Sequence, residues 1–403
     1  MKTVLVIAYK FPPYVGIGGY RWQKAVKYLS QMNIKIHVIT VSWPGMENAD
    51  GVKDVTNKNV VIHRIPSGYP DCLVKINQIK NRYIRAFLSR IRWLIHQWVY
   101  FDDEAQRWGK YLLPFSGKLI ENESIKTVFV TGAPFQSNRW GLEIKKKHPN
   151  IQLVQDLRDP WSRDPMPFNK PLFKFQQRLR EKWESLVISE SDHIVVVSEG
   201  MKDHFCEKVT PKNISVICNG VDIQEKKETA YKKEYDLIYA GNLNCGRDIV
   251  LKKMLKALQK AKLYLKICIA GKCSESFISE CNDLYSAGEL SFFGFITQQQ
   301  VFNLIKKSKS GLQINAQAYP YALSTKLFEY PAHNVPVLSL NYGGDIERII
   351  HKYKMGTSIN INHTDNLQSS LMQFFNNMPD HFTCDVSSFS HKAMSEKFAS
   401  LIK

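Results

Sequence analysis

The chain has 403 residues, 44% hydrophobic and 12% aromatic, enough for full-sized cores and too apolar for a disordered chain. That length exceeds what one core usually serves, so two domains are expected. A formal charge of +18 points to nucleic acid, an anionic membrane surface or a phosphorylated substrate, unless the surface is diffusely basic.

The apolar run 3–8 reads as a parallel strand covered on both faces. It is too brief for the apolar core of a signal peptide, and no small-residue cleavage site follows. Nowhere does an apolar run approach the roughly 18–20 residues of a membrane span, so a cytosolic chain is expected. A Gly/Pro-rich loop, 11–19, leads into a helical pattern over 20–31 and a second strand over 35–41, one βαβ unit. Its Gly16, Gly18 and Gly19 either let backbone N–H groups approach an anion at the helix start or form a plain tight turn. Further strands are expected over 60–65, 127–131, 152–155 and 193–197, with a long charged helix over 172–190.

Within this half, residues 75–100 stand out. Ile76, Ile79, Tyr83, Phe87, Ile91, Leu94 and Trp98 recur at spacings of three and four and form one apolar stripe. Lys75, Arg82, Arg85 and Arg92 fall opposite, and the segment has no Asp or Glu. A basic amphipathic helix with Trp93 and Trp98 suits an anionic membrane surface; the plain alternative docks its stripe on the domain. Asp156, Arg158 and Asp159 follow a strand directly, where an α/β protein places its chemistry. The alternative is an ion pair closing the loop, with Trp161 in the core.

The turn residues 219–222 break the pattern, and the polar run 224–233 reads as a surface segment. The alternation then restarts, with strands over 237–240, 265–270, 290–293, 311–315 and 337–340. Helices over 249–261, 276–286, 301–307 and 325–334 separate them. Domains are therefore placed at 1–218 and 219–385, and a terminal helix in 386–403 is expected to pack back on the first. Gly241, Asn242 and Arg247 lie between the first strand and helix of the second half. Arg247 there can meet a diphosphate or pair with Asp248. Ser324 or Thr325 can cap the helix that carries Lys326 and, three residues on, Glu329. Lys on phosphate with a carboxylate on ribose would bind a nucleoside diphosphate; a capping arrangement explains the same residues. The eight cysteines have no CxxC spacing and read as free buried thiols, and there is no Asp-x-Asp or HExxH for a metal.

In order and spacing these pieces resemble glycosyltransferase family 4, of the type serving bacterial surface polysaccharides. The marks are Phe11-Pro12-Pro13 with Gly18, Gly19 and Arg21; Thr131 to Phe135; Asp156 to Trp161; Val197-Ser198; Asn219 to Asp222; Gly241 to Leu243 with Arg247; and Ser324 to Tyr330. The resemblance implies an α/β fold of two Rossmann-like, doubly wound domains facing across a cleft (GT-B) and retention of anomeric configuration. It implies a nucleotide-sugar donor without a metal or other cofactor, held by Gly18, Gly19, Gly241, Asn242, Arg247, Ser324, Thr325, Lys326 and Glu329. Asp156, Arg158 and Asp159 are then the catalytic candidates. Arg21, Arg82, Arg85, Arg92, Trp93 and Trp98 are those for a glycan or polyprenyl-linked acceptor and the inner membrane face. Three departures stand. Asn242 replaces a frequent Arg, Tyr321 stands where the family has a carboxylate eight before Glu329, and the first-domain His is not evident. A sugar-nucleotide epimerase and a basic nucleic-acid-binding protein are the alternatives. No nucleic-acid module is recognisable, so nucleic acid is not expected as a partner.

Overall fold

In the computed structural model, residues 1–13, 17–42, 57–100, 103–162, 173–223, 231–319, 321–363, 366–379 and 381–403 are described. Gly16, Leu172 and residues 224–230 of the polar run lie outside them. The apolar run at the start forms β1 (Lys2–Ala8), with Val4 to Ala8 fully buried, as a strand covered on both faces requires. There follow α1 (Ile17–Gln31), β2 (Ile34–Val41), β3 (Val60–Ile65), α2 (Asp71–Lys75), α3 (Arg82–Ile95), α4 (Gly109–Asn122) and β4 (Thr127–Thr131). Then come α5 (Gln136–Lys147), β5 (Gln152–Leu157), α6 (Lys174–Glu190), β6 (His193–Val196), α7 (Glu199–Cys206) and β7 (Ile214–Val216).

All strand pairs are parallel, in the order β3-β2-β1-β4-β5-β6-β7. The order reverses between β1 and β4, the switch point at which a doubly wound sheet opens a crevice beyond its strand ends. The core gathers Val4, Val6, Trp22, Phe129 and Val154 with Met394 and Phe398 from the other end of the chain.

The second unit contains β8 (Tyr235–Ala240), α8 (Arg247–Lys260), β9 (Lys266–Ala270), α9 (Glu275–Leu284), β10 (Glu289–Gly294), α10 (Gln298–Lys306) and β11 (Ser308–Ile314). It continues with α11 (Lys326–Ala332), β12 (Val337–Asn341), α12 (Asp345–Lys352), β13 (Gly356–Asn360) and α13 (Leu367–Asn376). The strands are again all parallel, in the order β10-β9-β8-β11-β12-β13, with the switch point between β8 and β11.

The units comprise Met1–Cys218 with His391–Lys403, and Asn219–Ser390. α14 (His391–Ala399) lies on α1, where Phe398 meets Trp22 at 4.8 Å and Lys2 Nζ donates to the Ile402 carbonyl at 2.8 Å. Residues 386–390, expected to go with that helix, belong to the second unit instead. Phe389 stacks on Phe328 at 4.4 Å and meets Tyr353 edge-on at 4.7 Å.

Two other expectations are corrected. Residues 75–100 do not form one helix: a 3₁₀ turn (Ile76–Gln78) precedes α3, and a π-helical turn (His96–Tyr100) follows it. The break lies at Asn81, whose side chain accepts from Tyr83 N and Ile84 N and starts a new helix. All eight cysteines are free, but only Cys268 and Cys281 are buried; Cys72 and Cys206 are exposed.

Candidate active-site residues in each unit

At the first unit's switch point, α1 begins with Gly18 and Gly19 in its first turn. Arg158, just past β5, lies over them. A Cβ at Gly18 would fall 2.9 Å from its guanidinium carbon, so a larger residue there would push this side chain aside. The same guanidinium donates from Nε to the Gly132 carbonyl at 2.8 Å, at the end of β4. Two strand ends, those of β4 and β5, thus meet at one positive group beside a helix N-terminus. Asp159 is exposed at the same edge, while Trp161 is buried between Phe135 (5.7 Å) and Trp183 (5.5 Å), as core.

Asp156 is different. It is fully buried, and its carboxylate accepts from Arg21 Nη2 at 3.0 Å and Nε at 3.2 Å, Trp22 Nε1 at 2.8 Å and Thr131 Oγ1 at 3.2 Å. Arg21, 2% exposed, also donates to the carbonyls of Cys218 and Ile217, both at 2.9 Å, and to Met394 Sδ at 3.6 Å. The catalytic expectation for Asp156 and the acceptor or membrane expectation for Arg21 are therefore corrected. The pair is an internal brace joining α1 to the sheet, with no face left for a ligand.

In the second unit, Gly241 leaves β8 with φ 155° and passes close to β9, where a Cβ on Gly271 would lie 3.3 Å from its carbonyl carbon. Gly246 (φ 85°) then caps α8, a 14-residue helix that opens with Arg247. Arg247 donates to the Asn244 carbonyl at 3.4 Å and forms no ion pair with Asp248 among the described residues. Asn242 is exposed in the same loop, its carbonyl accepting from Tyr239 Oη at 2.8 Å.

Across the switch point, α11 is seated by Tyr330. Its hydroxyl donates to the Leu312 carbonyl at 3.2 Å and accepts from Ala240 N at 3.3 Å. This anchor ties α11 to both β8 and β11, and Gly311 makes room for it: a Cβ there would run into the Tyr330 ring. So placed, the first turn of α11 carries Lys326 and Glu329 as a close ion pair, with Lys326 20% and Glu329 7% exposed at the side chain. Of the two expected caps, one is made. Ser324 Oγ accepts from Lys326 N at 3.2 Å, whereas Thr325, the N-cap residue, makes no capping bond. Tyr321 is half-buried, 6.4 Å edge-on to Tyr319.

Asn315, at the end of β11, was not anticipated. It is 3% exposed, and its Nδ2 has no hydrogen-bond partner among the described residues. The one sequence signal was a polar residue closing an apolar strand. Among the described residues no three His, Cys, Asp or Glu side chains are grouped to hold a metal ion.

α3 docks by its other face, so the plain alternative of a stripe packed on the domain is not what the structure shows. Leu88 and Ile95 pack on Tyr69, Leu73, Ile76 and Tyr100. Beside them Arg85 Nη1 donates to the Ile79 carbonyl (3.0 Å) and Arg92 Nη1 to that of Leu73 (3.3 Å). The stripe of Tyr83, Phe87, Ile91, Leu94 and Trp98 faces solvent instead. Arg85 and Arg92, expected on the outer surface, tie the helix down, and Trp93 is half-buried; Arg82 is exposed. No helix among the described residues is long and apolar enough to cross a membrane.

Two parallel, doubly wound units, each with glycine loops and basic groups at its switch point, define a two-domain protein of the GT-B fold. Residues 21–225, just over half of the 403, match the family model Glycosyltransferase Family 4, and the chain belongs to that family: it is a glycosyltransferase. The solved structures agree in fold. Sucrose-phosphate synthase from Thermosynechococcus elongatus superposes with a TM-score of 0.66 at 11% identity, over 100% of this chain and 98% of that one. TarM, an S. aureus protein, gives 0.67 at 12%, over 100% and 98%. A glycosyltransferase from Rickettsia africae gives 0.62 at 16%, over 99% and 97%. No curated protein sequence matches the chain.

Proposed function

We propose that this glycosyltransferase moves a sugar from a nucleotide-sugar donor to a glycan or polyprenyl-linked acceptor, with retained configuration and without a metal ion. The setting is the assembly of a bacterial capsule, lipopolysaccharide or exopolysaccharide at the inner face of the cell membrane. The observation that carries the reading is the Lys326–Glu329 pair at the second unit's switch point, with Arg247 opening a long helix on the neighbouring strand. Its neighbours in fold lend support: an S. aureus TarM variant was solved with UDP, and an E. coli trehalose-6-phosphate protein with UDP-2-fluoro glucose. Another is a lipopolysaccharide outer core galactosyltransferase.

In this reading the donor trades places within the ion pair. Lys326 turns from Glu329 to the diphosphate, and Glu329, released, accepts the ribose hydroxyls. Arg247, the N–H groups at the start of α8, the backbone at Gly241 and Asn242, and the hydroxyls of Ser324 and Thr325 complete the hold on the phosphates. Positive groups then carry the charge of the leaving diphosphate that a divalent ion would otherwise carry. The bond from the anomeric carbon to the phosphate oxygen breaks, and one to the acceptor oxygen forms on the same face. The acceptor's proton passes to the departing phosphate oxygen beside it. In the first unit, Arg158 and the start of α1 at Gly18 and Gly19 offer further positive potential, and Asp159 contacts the acceptor or the transferred sugar.

A panel of UDP-, GDP- and dTDP-sugars, scored by thermal stabilisation, identifies the donor, because ligand binding to the folded state raises stability by mass action. With it, transfer should persist in excess EDTA and fall by roughly a hundredfold or more in Lys326→Ala, the loss of a charge-assisted contact to the leaving group. An absolute need for Mg²⁺, or a fully active Lys326→Ala, overturns the assignment.

A further inference from the structure

The solvent-facing ridge of α3 is an unusual surface to leave in water. Tyr83, Ile84, Phe87, Ile91, Leu94 and, in the π-helical turn that follows, Trp98 are between 38% and 72% exposed, and at 3.6 residues per turn the five on α3 share about 100° of arc. Large apolar side chains scattered singly need no explanation, but a contiguous ridge marks an interaction site. The ridge also continues onto another segment. Trp98 meets Phe173 edge-on at 5.0 Å, and Phe173 stacks at 5.6 Å on Phe175, which is 53% exposed at the start of α6.

The surroundings indicate the occupant. Residues 72–101 contain no acid, and Arg82, Arg90, Lys174 and Arg178 stand exposed beside the ridge. Apolar and aromatic side chains rimmed by cations match the boundary of an anionic bilayer, where rings sit at headgroup depth and guanidinium groups meet phosphates. Meanwhile Arg85 and Arg92 hold the back of the helix to the protein, so the apolar face is built to point outward.

We propose that this composite ridge, α3 together with Phe173 and Phe175, is the surface by which the enzyme enters an anionic membrane. It binds chiefly by inserting apolar side chains, with the flanking cations in a secondary role. The inference rests on the membrane location proposed above and adds the surface and its mode of binding.

The test is co-sedimentation of the full chain with phosphatidylglycerol-containing and with neutral vesicles, at low and high salt. Wild type should bind the anionic vesicles and keep part of that binding at high salt. Phe87→Asp should lower partitioning roughly tenfold, Phe87→Asp with Ile91→Asp roughly a hundredfold, and Phe175→Asp roughly tenfold. These side chains are exposed, so melting temperatures should match wild type. Arg82→Glu with Arg90→Glu should remove mainly the salt-sensitive part. If wild type binds neither vesicle, the membrane location itself falls. If wild type binds but the apolar variants bind equally well, the location stands and this ridge is not the surface. A wild type that dimerises without lipid, with apolar variants that are monomeric yet still bind vesicles, would make the ridge an interface between copies and overturn the proposal.

Discussion

Replacing Asp156 by Asn separates a brace from a catalytic group. The carboxylate meets four N–H or O–H donors and is the counter-charge of a buried arginine. An amide of the same shape keeps one acceptor oxygen and turns its NH₂ toward a donor, leaving the Arg21 charge without a partner. Breaking a buried pair in this way costs about 3–5 kcal/mol. The first unit, 1–218 with 391–403, has about 230 residues, and for domains of that size each kcal/mol moves the midpoint about 2–4 °C. Thermal unfolding followed by circular dichroism should therefore show a drop of roughly 6–20 °C. The double variant Arg21→Met, Asp156→Leu should be less unstable than Asp156→Asn, because neither charge is then left alone. A single variant that melts within about 2 °C of wild type but no longer transfers sugar would refute the brace and return Asp156 to the chemistry.

Four further outcomes follow from the two units. Gly311→Ala drives a methyl into the Tyr330 ring and should cost about 1–3 kcal/mol in urea unfolding, weakening nucleotide binding as α11 loses its seat; an unchanged midpoint would contradict the packing. Glu329→Gln should weaken free nucleoside diphosphate about tenfold by calorimetry, through loss of a charged acceptor; unchanged affinity with slower transfer would make it a catalytic group. Asp159→Asn should lower turnover while nucleotide affinity holds, and equal losses in both would remove it from the acceptor side. Burial, with Lys306 and Lys326 nearby, depresses the His333 pKa from its usual value to about 4. The unfolded chain therefore binds more protons between pH 4 and about 6.5, and stability is lost as pH falls through that window. His333→Gln should flatten the urea midpoint against pH there; an unaltered slope would refute the assignment.

The strand ends that carry the site were legible because parallel strands buried on both faces, such as Val4 to Ala8, read as plain apolar runs. The Lys326–Glu329 pair was also readable, since residues three apart share a helix face. What a side chain does at those places was harder to see. Asp156 has the same local sequence whether it faces solvent or core, and its partners Arg21 and Trp22 come from 135 and 134 residues away. Periodicity located the stripe of α3 but not its direction, which depends on carbonyls of Leu73 and Ile79 that two arginines could reach. The edge strand β13, Gly-Thr-Ser-Ile-Asn, is half-buried and polar, and carries no apolar run to read.

The return of α14 to the first unit imposes an order on biosynthesis. Trp22 and Phe129 are made early, but Phe398, which covers them at 4.8 and 5.9 Å, emerges only after the whole of the second unit. At about 5–20 residues per second, the ribosome takes roughly 10–40 s to travel from residue 218 to that helix. For that interval the first sheet stands with one apolar flank open to chaperones and to neighbouring nascent chains. The second unit, continuous in sequence, can close its core first.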